Sequence, residues 1–293
     1  MAADVESALE RASESFGLCP NRVWSIAYNL EQWQKKLPRL IPSKERGEQM
    51  KIVGHHGHEH CTLDLCEYSR LDFTSVKQRH ELPRCQSVPC GTLTGLFPRA
   101  LLKEAALADR PTAWRLDGKS LVETPEPVMA ISHVWSDGTG SGGWPDGEGI
   151  WWDTICMPRE KAARTRAINK IQSNYETARI TLVHDCYIRE WEWTNAETAC
   201  LAIIMSPWFS RGWTALELAK SRKVKVLLKG SVIKDLDEDI LPQSRSAASA
   251  AHRFASDAIS RLRKEGIYLL AARRPRHLWT SRWYQHIRAY ATA

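Results

Sequence analysis

The chain has no long apolar run. Nowhere in its 293 residues does an uncharged hydrophobic stretch approach the roughly 18 residues that a membrane-spanning helix needs. Residues 1–6 also lack the basic start and the apolar centre of a secretory signal peptide. Because 43% of the residues are hydrophobic, the chain can still bury a sizeable core. These features predict a globular, cytoplasmic protein without a membrane span.

Several motifs that would assign a function directly are missing as well. Five glycines lie between Asp137 and Gly149, but this loop lacks the Gly-Lys-Ser/Thr ending of a P-loop and the spacing of a dinucleotide fingerprint. The loop is therefore expected to be flexible or to let a ligand approach its backbone closely. No His-Glu-x-x-His motif is present, which argues against a catalytic zinc.

Positive charge is concentrated near the C-terminus. From Ala251 onward the chain has nine Lys or Arg residues and two acids, an excess that equals the net charge of +7 of the whole sequence. Such a tail can bind nucleic acid or an anionic membrane, but no nucleic-acid motif accompanies it. We interpret it as the solvated face of helices predicted at 244–265 and 278–290, so nucleic acid is not an expected partner.

A Cys/His-rich stretch precedes the middle of the chain. Zinc binds Cys and His side chains in tetrahedral sets, usually presented as two short-spaced pairs, and the spacing here meets that pattern loosely. The candidate ligands are Cys61, Cys66, His80, Cys85 and Cys90. Two other interpretations stay open, namely buried free thiols and a solvent-facing histidine-rich loop. In a cytosolic chain, disulfides are not expected.

Strands and helices alternate in the middle of the chain, which is typical of a parallel sheet covered by helices. Apolar runs predict strands at 128–138, 149–156, 179–185 and 224–228. Helices are predicted at 95–109, from Pro158 to Ala178, around 199–204 and from Trp213. Asp117-Gly118 predicts a tight turn between two short strands. The chain is divided into an N-terminal helical segment, a Cys/His-rich module, an α/β core and a basic helical tail, at 1–45, 46–125, 126–232 and 233–293.

The stretch 206–219 places an acid beside aromatic residues and leads into the last predicted strand. Trp213 and Glu217 are four residues apart, so both project from one face of a helix that begins near Trp213. By itself this spacing favours a packed tryptophan and a solvated acid in the first turn. Two other acids, Asp153 and Asp185, follow predicted parallel strands, where ligands bind in open α/β sheets.

Three stretches, in this order, resemble a known family. The first contains Ser-His-Val-Trp, the second Trp-Trp-Asp-Thr-Ile-Cys and the third Arg-Gly-Trp-Thr-Ala-Leu-Glu. They resemble the HET domain of fungal heterokaryon-incompatibility proteins, whose pattern is roughly Leu-Ser-Tyr-x-Trp-Gly, Trp-Ile-Asp-x-x-Cys-Ile-x-Gln and Arg-x-Trp-Thr-x-Gln-Glu. The matching positions are Ser132, Trp135, Trp151 or Trp152, Asp153, Cys156, Arg211, Trp213, Thr214 and Glu217.

HET domains are themselves similar to TIR domains, which implies a TIR-like (flavodoxin-like) parallel sheet with flanking helices. Residues 210–218 resemble the TIR motif Ser-x-Trp-Cys-x-x-Glu-Leu with one extra residue. In NAD-cleaving TIR domains the matching glutamate is catalytic, so the resemblance nominates Glu217 as the catalytic residue and NAD as the substrate. It also implies a nucleotide pocket, and the residues nominated for it are Ser132, His133, Trp135, Asp137, Asp153 and Trp213.

Two non-enzymatic functions stay open. One is a TIR-like scaffold that self-associates and recruits an incompatibility partner protein during cell death. The other is a zinc-stabilised binding protein whose basic tail contacts nucleic acid. NAD turnover, concentration-dependent oligomers without turnover, and salt-sensitive binding to nucleic acid distinguish the three functions.

Overall fold

The computed structural model describes residues 19–21, 23, 61–62, 95–123, 127–134, 149–209, 212–242 and 250–272. Most of the predicted N-terminal helical segment and of the Cys/His-rich module lies outside the described residues. The same holds for the helix predicted at 278–290 and for the glycine loop that precedes Gly149.

A six-stranded sheet forms the centre of the described part of the chain. Its strands are β1 (Trp114–Arg115), β2 (Val128–His133), β3 (Gly149–Trp151), β4 (Ile180–His184), β5 (Val224–Leu227) and β6 (Ile233–Asp235). They are arranged in the order β1-β3-β2-β4-β5-β6. The four inner strands run parallel, whereas β1 and β6 are antiparallel to their neighbours at the two edges. This confirms the α/β sheet that the alternating elements predict.

Helices flank the sheet. They are α1 (Arg99–Leu107), α2 (Asp153–Cys156), α3 (Lys161–Asn169), α4 (Ile171–Thr177), α5 (Cys186–Arg189), α6 (Ala196–Met205), α7 (Gly212–Lys220) and α8 (Ala250–Ala272), with a 3-10 turn at Lys229–Ser231 and a π turn at Leu236–Ile240. Both α4 and α7 pack on β2, and α8 packs on α6 and α7. The helix that carries Trp213 and Glu217 therefore lies between the central strand and the long C-terminal helix.

The central strands β2 and β4 define where a ligand is expected to bind. They are hydrogen-bonded neighbours although β3 lies between them in sequence. The chain therefore leaves β2 towards one side of the sheet and returns after β3 to the other side. In doubly wound sheets this reversal is the topological switch point, and ligands bind there, outside the carboxyl ends of the strands.

Three elements differ from the sequence-based predictions. The strand predicted at 149–156 ends at Trp151, and Asp153 begins the short helix α2 instead of ending the strand, because an acid is favoured in the first turn of a helix. The helix predicted from Pro158 divides at Lys170 into α3 and α4. Finally, Ile233–Asp235 forms the edge strand β6 beyond residue 232, where the sequence predicted only a helical tail.

The turn predicted at Asp117-Gly118 is present. Gly118 has φ +65°, a left-handed conformation that glycine adopts without strain. Asp117 Oδ1 accepts hydrogen bonds from the backbone N–H groups of Lys119 and Ser120 at 2.8 and 3.2 Å. The chain then returns to form an antiparallel bridge between Trp114 and Leu121. Because Trp114 also pairs with β3, the returning chain covers the outer edge of β1.

Gly149, the first residue of β3, leaves no room for a side chain. A Cβ there would lie 2.2 Å from Val122 Cγ2 and 3.3 Å from the carbonyl oxygen of Trp114. Gly149→Ala is therefore expected to lower the free energy of unfolding by about 1–3 kcal/mol, the usual cost of overpacking. Urea unfolding measures it. Val122→Ala in the same chain should recover part of the loss, and an unchanged midpoint for Gly149→Ala alone would contradict the packing described.

Candidate functional site

Glu217 is joined to the end of β2 by hydrogen bonds. Its side chain is largely buried, with 9% of the residue exposed. The hydroxyl of Ser132 donates to Glu217 Oε2, and the indole N–H of Trp208 donates to Ser132 Oγ at 2.6 Å. Trp208 is itself 2% exposed. These three residues, called the Glu217 triplet below, lie at the carboxyl end of the central strand.

The buried environment changes the acidity of Glu217. Burial raises the pKa of its carboxyl from the ordinary 4.5 to about 7, because removal from water disfavours the charged form. Burial is the largest of these effects and Asp153 adds to the rise, whereas Ser132, His133 and Tyr175 lower this pKa. Near neutral pH, Glu217 therefore exists as a mixture of acid and carboxylate.

Stability is expected to depend on pH through Glu217. Since its pKa is higher in the folded protein than in the unfolded chain, folding is favoured below about pH 4.5 and this contribution is lost as the pH rises through about 7. The loss amounts to about 3 kcal/mol. Glu217→Gln should thus gain about 2–3 kcal/mol in unfolding free energy relative to the parent between pH 5 and pH 8, because part of the loss occurs below pH 5. Urea unfolding at both pH values measures this gain. The exposed Glu104→Gln is the control, and a constant difference for Glu217→Gln would be contrary evidence.

His133 and Asp153 form a second polar group, also at the carboxyl ends of the parallel strands. His133 Nε2 lies 2.8 Å from Asp153 Oδ1 and 3.1 Å from Thr154 Oγ1. The ring of Trp152 packs edge-on against His133 with 5.1 Å between centroids. Because Ser132 and His133 are consecutive in β2, their side chains leave opposite faces of the sheet. Ser132 and His133 therefore contact different partners. Both nevertheless lower the pKa of Glu217.

His184 and Arg189 also lie at the carboxyl ends of the parallel strands, and no motif of the sequence nominated them. His184 ends β4 and is the register partner of His133. The pKa of His184 is lowered to about 4, chiefly by burial and to a smaller extent by Arg189 and His133. Its ring is therefore neutral near pH 7, and Arg189 Nη1 lies 3.2 Å from its Nε2. In the sequence, the only sign that His184 belongs to the site is its position at the end of a predicted strand, beside Asp185.

Asp185 has a structural task. It is fully buried, and its two carboxylate oxygens accept from the backbone N–H groups of Ile188 at 2.9 Å and of Trp208 at 3.1 Å. It thereby caps α5 and fixes the segment that carries Trp208. The two acids that follow parallel strands therefore differ. Asp153 is partly exposed next to His133, whereas Asp185 is buried and bound to the backbone of Trp208, a member of the Glu217 triplet.

Tyr175, on α4, also lies close to Glu217, and no motif of the sequence nominated it. Its hydroxyl donates to the carbonyl oxygen of Ile131 at 3.0 Å, and only 1% of the residue is exposed. Burial raises the pKa of Tyr175 well above its ordinary value, and the Glu217 carboxylate adds to the rise. Tyr175 therefore stays a neutral phenol beside the acid.

Trp213 is half-buried in the first turn of α7, one turn before Glu217, as the four-residue spacing predicts. The next residue, Thr214, donates its hydroxyl to the carbonyl oxygen of Trp208 and so joins α7 to the preceding segment. Trp135 and Asp137, the other two residues nominated for the pocket, lie outside the described residues.

The structural zinc site stays a prediction. Cys61 is half-buried, but its proposed partners Cys66, His80, Cys85 and Cys90 lie outside the described residues. In the part of the chain that the structure describes, no group of three or more His, Cys, Asp or Glu side chains could hold a metal ion. Cys156 and Cys200 are buried thiols whose pKa is raised to about 12 by burial, so neither is a ready nucleophile.

Searches for similar proteins gave no match to any protein-family model, curated protein or solved structure. None of the helices in the described ranges has both the length and the hydrophobicity that a membrane span requires.

Proposed function

We propose that this chain is a HET-domain protein with a TIR-like core that cleaves NAD to nicotinamide and ADP-ribose, in the setting of fungal heterokaryon incompatibility and regulated cell death. The observation that carries the proposal is the hydrogen bond between Ser132 and the buried carboxyl of Glu217 at the carboxyl end of β2. These two residues are 85 positions apart in the sequence and belong to the first and the third motif. Asp153, from the second motif, raises the pKa of the same carboxyl.

A single buried carboxylate suits this reaction. Nicotinamide is already cationic in NAD, so it leaves with the electron pair of the glycosidic bond and needs no general acid. The barrier lies in forming the ribosyl oxocarbenium ion, to which water then adds, giving ADP-ribose and releasing one proton to solvent. One carboxylate can stabilise this cation or hold the ribose hydroxyls, whereas ordinary glycosidases use two carboxyl groups. The low dielectric around Glu217 strengthens such an interaction. Because the pKa of Glu217 is about 7, the active carboxylate accumulates as the pH rises through neutrality.

The neighbours of Glu217 would orient it and shape the pocket. Ser132, held by the indole of Trp208, fixes one carboxylate oxygen. His133 and Asp153 would border the nucleotide, and the half-buried ring of Trp213 lies one helical turn from the acid. We also keep Trp135 and Asp137 in the proposed pocket, on the strength of the motif alone.

The burial of Glu217 also favours a second candidate. A buried carboxyl bonded to Ser132, which Trp208 holds in turn, can serve to hold α7 against β2 without touching any substrate. The chain would then be a non-enzymatic TIR-like module that self-associates and recruits an incompatibility partner protein.

The test is the release of nicotinamide from NAD by the purified protein at low and high protein concentration. By resemblance to TIR enzymes, assembly completes the pocket, so we expect release per molecule to rise with concentration. A folded protein that assembles but releases no nicotinamide at either concentration would exclude the enzymatic proposal and support the scaffold. Light scattering on the same samples reports the assembly.

A further inference from the structure

Arg263, on α8, binds the end of the helix that carries Glu217. Its Nη1 donates to the carbonyl oxygens of Leu218 and Ser221, both at 2.8 Å, and its Nη2 donates to that of Arg222 at 2.9 Å. Its Nη2 and Nε also donate to the carboxylate of Asp237, at 2.8 and 3.0 Å. A guanidinium has five N–H donors, and this set of partners uses all of them. Only 13% of the side chain is exposed.

Of the carbonyls that Arg263 binds, that of Leu218 lies in the last turn of α7, and those of Ser221 and Arg222 lie in the segment directly after it. The last carbonyls of a helix have no partner within the helix, and its C-terminus carries a partial negative charge that favours a cation. Since α7 has only nine residues, its last turn is a large part of its length. The guanidinium therefore acts as a C-terminal cap that a different helix supplies.

This cap is connected to Glu217 through the backbone. Leu218, whose carbonyl Arg263 binds, is the next residue after Glu217. The hydroxyl of Ser221 lies 2.6 Å from the carbonyl oxygen of Glu217 and 2.6 Å from the hydroxyl of Thr181 on β4. The carbonyl of Ser221 is in turn held by Arg263. The turn that begins at Glu217 is thus fixed to the sheet on one side and to α8 on the other.

We propose that Arg263 is a positioning residue, which holds the last turn of α7 so that the Glu217 carboxyl stays seated on Ser132 and closed to water. The long helix α8, with its 23 residues, then forms part of the support of the site instead of an appended tail. Arg263 can position the Glu217 carboxyl whether or not the protein cleaves NAD. An effect of Arg263 on NAD cleavage rests on the proposed function.

Arg263→Lys tests this proposal, because lysine keeps the charge but has neither the planar fork nor the five donors. The readout is the pH titration of the Glu217 carboxyl, followed by carbon-13 NMR on protein labelled at the glutamate carboxyl and assigned by the signal lost in Glu217→Gln. In Arg263→Lys the midpoint should fall from about 7 by about one pH unit or more, because water reaches the carboxyl. Arg261→Lys, on the exposed side of α8, should leave the midpoint unchanged.

A folded Arg263→Lys variant with the parental midpoint would overturn the proposal. If that variant does not fold, Asp237→Asn replaces it, since this change removes only the acidic partner of Arg263. The midpoint should then move in the same direction by a smaller amount, and no movement would equally overturn the proposal. If the chain cleaves NAD, the pH profile of nicotinamide release should move with the midpoint. A shifted titration without any turnover would support the positioning and reject the enzymatic function.

Discussion

Replacing Glu217 by glutamine is expected to reduce nicotinamide release from NAD by about 10²–10³-fold, the usual cost of losing one stabilising group at the reacting centre. Glutamine keeps the shape of the side chain and an oxygen that can accept from Ser132. It cannot carry the negative charge that stabilises the developing ribosyl cation. The variant should therefore stay folded and bind NAD with little change while the rate of bond cleavage falls.

Initial rates over a range of NAD concentrations measure this effect, because they separate a fall in kcat from a rise in KM. Glu104→Gln, which changes an exposed acid on α1, is the matched control and should keep the parental rate. The parental rate itself should rise with pH through about 7 as Glu217 ionises. If a folded Glu217→Gln protein cleaved NAD at the parental rate, Glu217 would not be a catalytic residue, whatever the pH profile.

Replacing Asp185 by alanine should lower the free energy of unfolding by about 4 kcal/mol. The change leaves the backbone N–H groups of Ile188 and Trp208 buried without their acceptors, and each such group costs about 1–3 kcal/mol. The indole of Trp208 then loses the support that directs it at Ser132. Both the stability of the fold and the geometry of the Glu217 triplet are therefore expected to suffer.

Urea unfolding at pH 7 measures the change. Asp257→Ala, on the exposed side of α8, is the control and should unfold like the parent. The free energy of unfolding of Asp185→Asn should lie between those of Asp185→Ala and Asp257→Ala, because the asparagine side chain has one acceptor oxygen and the aspartate has two. A loss of less than about 1 kcal/mol in Asp185→Ala would mean that water or a shifted backbone satisfies both N–H groups.

The sequence predicts the central part of the fold for a clear physical reason. Parallel strands are buried on both faces, so β2, β4 and β5 are nearly continuous apolar runs between polar loops. The helical spacing of Trp213 and Glu217 likewise predicts the face of α7. Strand β6 has no such signal, because Ile233–Asp235 contains two charged residues and is extended only through its pairing with β5.

The contacts of the site were harder to predict. Trp208 and Ser132 are 76 positions apart, and Tyr175 and Ile131 are 44 apart, so only the folded chain reveals these hydrogen bonds. In the sequence, a buried tryptophan and a buried tyrosine are indistinguishable from ordinary core residues. The motifs nominated Glu217 and Ser132, but the elevated pKa of Glu217 depends on burial, which no local pattern records.

The bridge between Trp114 and Leu121 limits how copies of this protein can join. An open strand edge is a template for another chain, and native proteins avoid unwanted fibres by keeping such edges short or covered. Strand β1 has two residues, and the returning chain at Leu121 occupies its outer side. A filament or ring built from this protein is therefore not expected to grow by adding strands at this edge.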